Sequence, residues 1–216
     1  MWGIVKKDFY DTFCIPKNLL SNILGYLAMI ILAVLMGQNR YMMMLFVVVC
    51  IPMTTIAVFQ MALEQDEKVQ FDEIMLTYPV TKKEIIMARF IDNFIYMGIN
   101  TVISVIMVLG YVYLGKTVDI RTGMFYVAAG IAVSLIATAV FSIGFYLLGN
   151  KKGTILYVGM VIIVALFYGL SSRGQWISRI FQTDPRILTG IALILGGLLM
   201  AGSYWVCLKI YTRQHS

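Results

Sequence analysis

Charge is scarce in this chain. Of 216 residues only 13% are Asp, Glu, Lys or Arg, while 60% are hydrophobic and mean hydropathy is +0.85. A soluble domain carries about 25% charged and about 45–50% apolar residues. That gap excludes an ordinary cytosolic enzyme, a disordered chain and a nucleic-acid-binding module. Histidine is almost missing, since the single one, His215, is the penultimate residue. The three cysteines, Cys14, Cys50 and Cys207, are scattered and make neither a disulfide frame nor a metal site. No C-x-x-C or H-E-x-x-H occurs. No Ser/His, paired-Asp or zinc set lies within the apolar runs, so no catalytic site, cofactor site or metal site is expected in this chain. No acid or base sits in the middle of any apolar run, which argues against a proton- or sodium-coupled pump.

One apparent motif is discounted. Gly110 through Gly115-Lys116-Thr117 matches G-x-x-x-x-G-K-[ST] letter for letter. That pattern binds phosphate only as a loop between a buried strand and a helix. Here it ends an apolar run.

What the chain does have is long apolar runs. A helix needs about 20 mostly apolar residues to cross about 30 Å of hydrocarbon. Six windows contain no Asp, Glu, Lys, Arg or His: 19–36, 41–63, 93–115, 122–150, 153–172 and 187–208. A transmembrane β-barrel would instead show alternating segments of about 10 residues. The predicted fold class is therefore all-α, a polytopic membrane protein with six transmembrane helices in a single domain over 1–216.

Lys and Arg in the connecting segments orient the spans. One side holds Lys6, Lys7, Lys17, Lys68, Lys82, Lys83, Arg89, Lys151, Lys152, Lys209 and Arg213, eleven against six on the other. Both termini are predicted to be cytoplasmic. Nine of the eleven acids share that side, which makes it rich in both signs, as a docking surface is. No cleavable signal peptide is expected, because Asp8 and Asp11 precede the first run and no small-residue cleavage site follows a short apolar core.

Residues 1–18 read as an amphipathic elbow. Trp2, Val5, Phe9 and Phe13 recur at three- and four-residue steps with Lys6, Lys7 and Asp11 between them, a pattern suited to the bilayer surface. Pro16 and Asn18 then break it.

Residues 64–92 form the one sizeable loop on the charged side. Glu64 and Lys68 have the favourable i,i+4 order. Tyr78 precedes Pro79 and is pushed out of the helical region. Thr81, with Glu84 three residues on and an apolar run beyond, is a capping box, so a helix is predicted to start at about Lys82. The loop is a helix–turn–helix held on two membrane helices, either a rigid lever or a well-capped connection. The 122–150 window is longer than a crossing needs and is expected to tilt or protrude.

Polar side chains inside the runs are few. Gly130, Ser134, Thr138 and Ser142 share one face at i+4 steps, a spacing that lets helices approach closely. Asn93, Asn100 and Ser104 make a similar stripe, and an amide inside a bilayer is costly unless paired. Asn100, Ser104, Ser134 and Thr138 are the candidate lining of a translocation path, with helix packing as the alternative. Between the last two runs, residues 173–186 alternate Trp176, Ile177, Ile180 and Phe181 with Arg173 and Arg179, predicting a re-entrant segment or an aromatic anchor on the outer side.

Two stretches carry a resemblance. Glu64 to Lys68, then Leu76 through Tyr78-Pro79-Val80-Thr81-Lys82-Lys83-Glu84-Ile85, then Ala88-Arg89-Phe90, resembles the "D-E-K … L-P-V-S/T-R/K-x-E-I-V … A-K/R-Y" run of type-2 ABC exporter permeases. The opening Trp2 to Phe9 is similar to that family's "L-x-K-K-D". Tyr78-Pro79 departs mildly from the usual "L-P". The subgroup it most resembles is the small permease type that includes the phenol-soluble modulin exporter.

The resemblance implies a half-transporter in a bacterial plasma membrane. A second copy of this chain would complete the pore, and two copies of a cognate ABC ATPase subunit would bind ATP and Mg. Tyr78, Pro79, Val80, Thr81, Lys82, Lys83 and Glu84, with Lys6 and Lys7 on the elbow, would couple ATP binding to the spans. The implied cargo is an amphipathic peptide, which fifteen adaptable methionines would suit. Methionine as plain membrane filler fits equally well. A permease of the same build with another cargo, such as sodium, a drug or a lantibiotic, stays open. So does an energy-independent membrane scaffold or binding subunit.

Overall fold

The computed structural model describes residues 2–35, 39–71, 74, 75, 79–171 and 185–214. Among them there is no strand. The helices are α1 (Trp2–Phe13), α2 (Pro16–Leu35), α3 (Arg40–Met44), a π turn (Leu45–Cys50), α4 (Ile51–Lys68), α5 (Lys82–Tyr113), α6 (Ile120–Ser171) and α7 (Pro185–Gln214). Five helical segments are long and apolar enough to cross a membrane: Pro16–Leu35, Arg40–Lys68, Lys82–Tyr113, Ile120–Val164 and Ile187–Gln214. Six windows thus become five segments, because the fourth and fifth windows both fall in α6. The 173–186 segment lies outside the described residues except at its C-terminal end, as do Tyr78 and His215.

α6 is not one rod. Its 52 residues would make a straight helix of about 78 Å, more than twice the hydrocarbon thickness. Gly149 breaks it with φ 75° and ψ 169°, a backbone conformation essentially confined to glycine. The chain folds back there. Phe141 and Tyr157 stand sixteen residues apart, about 24 Å along a straight helix, yet their ring centroids are 5.4 Å apart.

α4 fixes the direction of both limbs. Along residues 120–148 the contacts advance together, from Gly130 against Val47 to Phe145 against Phe59 at 5.9 Å, so this limb runs parallel to α4. Along residues 150–171 they run in reverse. Tyr157 Oη donates to Met53 O at 3.1 Å, Gln60 Nε2 to Thr154 Oγ1 at 3.0 Å, and Asn150 Nδ2 to Glu67 Oε2 at 3.1 Å. The α4 partners are seven residues apart each time, two helical turns, so the bonds lie on one face.

The π turn has a local cause. Pro52 has no N–H to give the fourth carbonyl before it and its ring crowds that carbonyl, so the turn ahead widens to i→i+5 pairing. α6 crosses at this widened turn through Gly130. A methyl on Gly130 would stand 2.5 Å from the Val47 carbonyl oxygen, whereas one on Gly110 would meet nothing within 4 Å. Gly130→Ala is therefore expected to cost about 1–3 kcal/mol of stability through overpacking. Gly110→Ala should stabilise α5 by up to about 1 kcal/mol. Thermal unfolding of the two variants in detergent checks the opposite signs.

Apolar packing divides into three clusters. One joins Ile4 and Val5 of α1 to Ile85, Ile86 and Phe90 of α5 and Met200 and Cys207 of α7. A second lies at the far end around Met43, Phe46, Val108 and Tyr126. The third holds Ile56 and Phe59 against Phe141 and Phe145. α2 is the least enclosed segment, with only 11% of its apolar window buried. Its outward Leu20, Leu24, Ile31 and Val34 suit contact with lipid chains.

Candidate functional site

The charged end is built from α1, the end of α4 and the start of α5. The predicted capping box is present. Glu84 N donates to Thr81 Oγ1 at 3.3 Å, and Thr81 N donates to Glu84 Oε2 at 2.9 Å. The Thr81 hydroxyl also donates to that carboxylate at 2.9 Å. The predicted helix start at Lys82 holds, and α5 then runs unbroken for 32 residues into the apolar region. Glu64 and Lys68 pair at 2.7 Å as expected from their spacing.

The predicted coupling residues divide into two groups. Pro79, Thr81 and Lys83 are exposed, and Lys82 and Glu84 are partly so. Val80 turns inward onto the cluster around Ile85 and Ile86. Lys6 points outward, but Lys7 does not. Its Nζ lies 3.1 Å from Asp11 and 3.4 Å from Asp8, pairs with Asp66, and sits 4.4 Å from the Phe71 ring centroid. Lys7 thus ties α1 to the end of α4.

Sequence reasoning missed the centre of this site. Arg89 of α5 is 2% exposed, and its guanidinium pairs with Asp8 of α1 and with Asp66 of α4, themselves 1% and 0% exposed. Around them Tyr96 Oη donates to Thr12 Oγ1 at 2.8 Å, and Thr12 Oγ1 to Asp8 O at 2.9 Å. Three helices distant in sequence meet on one cation. The available signal was periodicity. Ile85, Arg89, Asn93, Tyr96 and Asn100 recur at three- and four-residue steps, and Ile4, Asp8 and Thr12 likewise. Each charge therefore lies on a face that packs inward. The outward face of α1 carries Trp2, Phe9 and Tyr10, exposed at 63%, 44% and 60%.

The candidate path residues are all buried: Asn100 and Ser104 at 5%, Ser134 and Thr138 at 3%. Asn100 is a junction. Its Nδ2 donates to Thr55 Oγ1 at 2.8 Å, and its Oδ1 accepts from Thr54 Oγ1 at 3.0 Å and from Tyr26 Oη. Asn100, Ser104 and Ser134 border one cavity of about 10 Å³ between α4, α5 and α6, which Thr138 does not line. In this conformation the space admits nothing larger than water.

Two larger clefts open to the outside. An apolar groove of about 540 Å³ separates α2 from α5, lined by Ile23, Leu27, Ile30, Ile106 and Tyr111 among others. A polar cleft of about 560 Å³ lies at the charged end, between Glu64, Glu67 and Lys68 of α4 and Asn150, Lys151 and Thr154 after the Gly149 turn. Among the described residues no group of His, Cys, Asp and Glu could hold a metal ion. The discounted phosphate-loop pattern begins inside α5, so a helix precedes it where a phosphate site needs a strand.

No curated protein and no solved structure matches the chain. The family described as ABC-2 family transporter protein matches it over residues 3–212, nearly its whole length. That family comprises membrane-embedded permease subunits, typically non-catalytic, that associate with an ABC ATPase. Long apolar helices and a family match across almost every residue agree: the chain is a multi-pass permease subunit of the ABC-2 transporter family.

Proposed function

We propose that this chain is one half of the pore of an ATP-driven exporter in a bacterial plasma membrane. Two copies cross the bilayer six times each, α6 contributing two crossings on either side of Gly149, with both termini in the cytoplasm. Two copies of a cognate ATPase bind ATP and Mg and dock at residues 78–84, with Lys6 also in contact. α1 lies along the inner surface with Trp2, Phe9 and Tyr10 toward lipid. The observation that carries this reading is the Asp8–Arg89–Asp66 bridge. It makes α1, α4 and the capped start of α5 one body, so a push on the turn moves all three. Cargo is an amphipathic peptide such as a secreted toxin or an antimicrobial peptide. The apolar groove beside α2 and the lack of fixed charge near the Asn100 junction support that chemistry.

Reversing Lys82 and Lys83 to glutamate tests the docking. Acidic residues in the first helical turn favour the macrodipole, so α5 should stay folded. Capture of the ATPase from co-expressing cells is expected to weaken about tenfold, the equivalent of 1.4 kcal/mol. Export of an amphipathic peptide from proteoliposomes should fall with it. Undiminished capture and export would remove the turn from the coupling route.

A further inference from the structure

We infer that α5 and the first limb of α6 enclose internal water along a seam running from Asn93 at the charged end to the Asn100 cavity. The inference begins with groups that nothing satisfies. Asn93 is 2% exposed, and neither its Nδ2 nor its Oδ1 has a hydrogen-bond partner among the described residues. The hydroxyls of Ser134, Thr138 and Ser142, exposed at 3%, 3% and 0%, also lack one. A buried amide or hydroxyl without a partner costs about the desolvation of that group, and native interiors leave few of them.

Register places these groups opposite one another. The backbone of Gly123 lies against Val108. Further along, the small cavity brings Met97, Thr101 and Ser104 of α5 to Val127, Gly130 and Ser134 of α6. The helices are antiparallel there, and each step down α5 is matched by a step along α6. Fifteen residues back from Val108 is Asn93, and fifteen on from Gly123 is Thr138. Four more bring Arg89 opposite Ser142. Asn93 and Thr138 therefore face each other on a seam that Ser134 and Ser142 extend in either direction, and its upper end widens to about 10 Å³, near the space one water needs.

Water is the ligand whose chemistry fits. Asn93 needs both an acceptor and a donor, and the hydroxyls can be either. A wet seam lets α5 shift against α6 by exchanging water partners, without first breaking direct side-chain bonds. This holds whichever partner drives the chain.

X-ray radiolysis of the full chain in lipid nanodiscs tests the inference. Bound water yields hydroxyl radicals where it sits. Met97 on the seam should be oxidised severalfold more than Met29, which is also half-buried but lines the apolar groove. In addition, Thr138→Val keeps the shape and removes the hydroxyl, leaving the water short of a partner. Tm should fall about 2–4 °C. Adding Asn93→Leu should return most of that loss. Met97 labelled no more than Met29 would overturn the inference, even if the two substitutions prove coupled, because a direct contact would then explain the coupling. A Thr138→Val protein with unchanged or raised Tm would overturn it too. The labelling arm uses the parent protein and stands even where the double variant fails to fold.

Discussion

Replacing Arg89 with methionine is expected to cost about 3–5 kcal/mol of stability, because it strands two buried carboxylates. Asp8 and Asp66 are almost fully enclosed, and the one other cation among their described partners is Lys7, which already serves Asp11 as well. Arg89→Lys keeps the charge but has no planar fork to address two carboxylates on different helices. It should lie between the parent and Arg89→Met. Neutralising all three positions, with Asp8→Asn and Asp66→Asn beside Arg89→Met, should recover much of the loss, since removing a whole buried ion cluster is far less costly than removing one member. Cys207 offers a local readout. It is 0% exposed and belongs to the apolar cluster that includes Ile4 and Val5 of α1. With the exposed Cys14 and the half-buried Cys50 changed to serine, the temperature at which a thiol dye reaches Cys207 should drop sharply for Arg89→Met. It should return toward the parent value in the triple variant. An Arg89→Met protein whose Cys207 stays protected to the parent temperature would show that the bridge does not hold α1 in place.

Gly149→Ala should cost about 1–3 kcal/mol, the penalty for a side chain in a backbone region reserved for glycine. Crowding is not the reason, because a methyl there would meet nothing within 4 Å. Gly149→Asn makes the test sharper. Asparagine tolerates the left-handed helical region near ψ +47°, but Gly149 has ψ 169°. Asparagine should therefore rescue nothing, and Leu148→Ala next door should be mild. If asparagine restored the parent Tm, the turn would have to be an ordinary left-handed cap. The loss should extend to the seam with α4, since the Gln60–Thr154 and Glu67–Asn150 bonds depend on the second limb returning in register.

Local signals were legible in the sequence and long-range ones were not. Thr81 and Glu84 announce their helix start three residues apart, and Glu64 and Lys68 their pairing four apart. Uncharged windows locate the apolar helices because lipid tolerates little else. Charge alone places the junction between the fourth and fifth windows at Lys151 and Lys152, where it interrupts the run. The backbone turns two residues earlier, at Gly149, because conformation, not charge, decides where a helix can reverse. The amphipathic pattern sets Lys7, beside Lys6, among the polar positions of α1. Its inward turn toward Asp66 depends on α1 lying across the end of α4, which no local pattern encodes. The same holds for Arg89, whose partners lie 81 and 23 positions away.

The bridge on Arg89 also bears on how the chain is made. Asp8 and Asp66 leave the ribosome before Arg89 does, and α2 and α4 are both complete by then. Until residue 89 emerges, two carboxylates destined for a dry site must stay hydrated. Until then Lys7 is the one described cation available to both, so the nascent amino-terminal segment should settle onto α4 less firmly than it does once α5 arrives. Closure of the charged end is then expected to follow insertion of the first helices, completed by the arrival of one arginine.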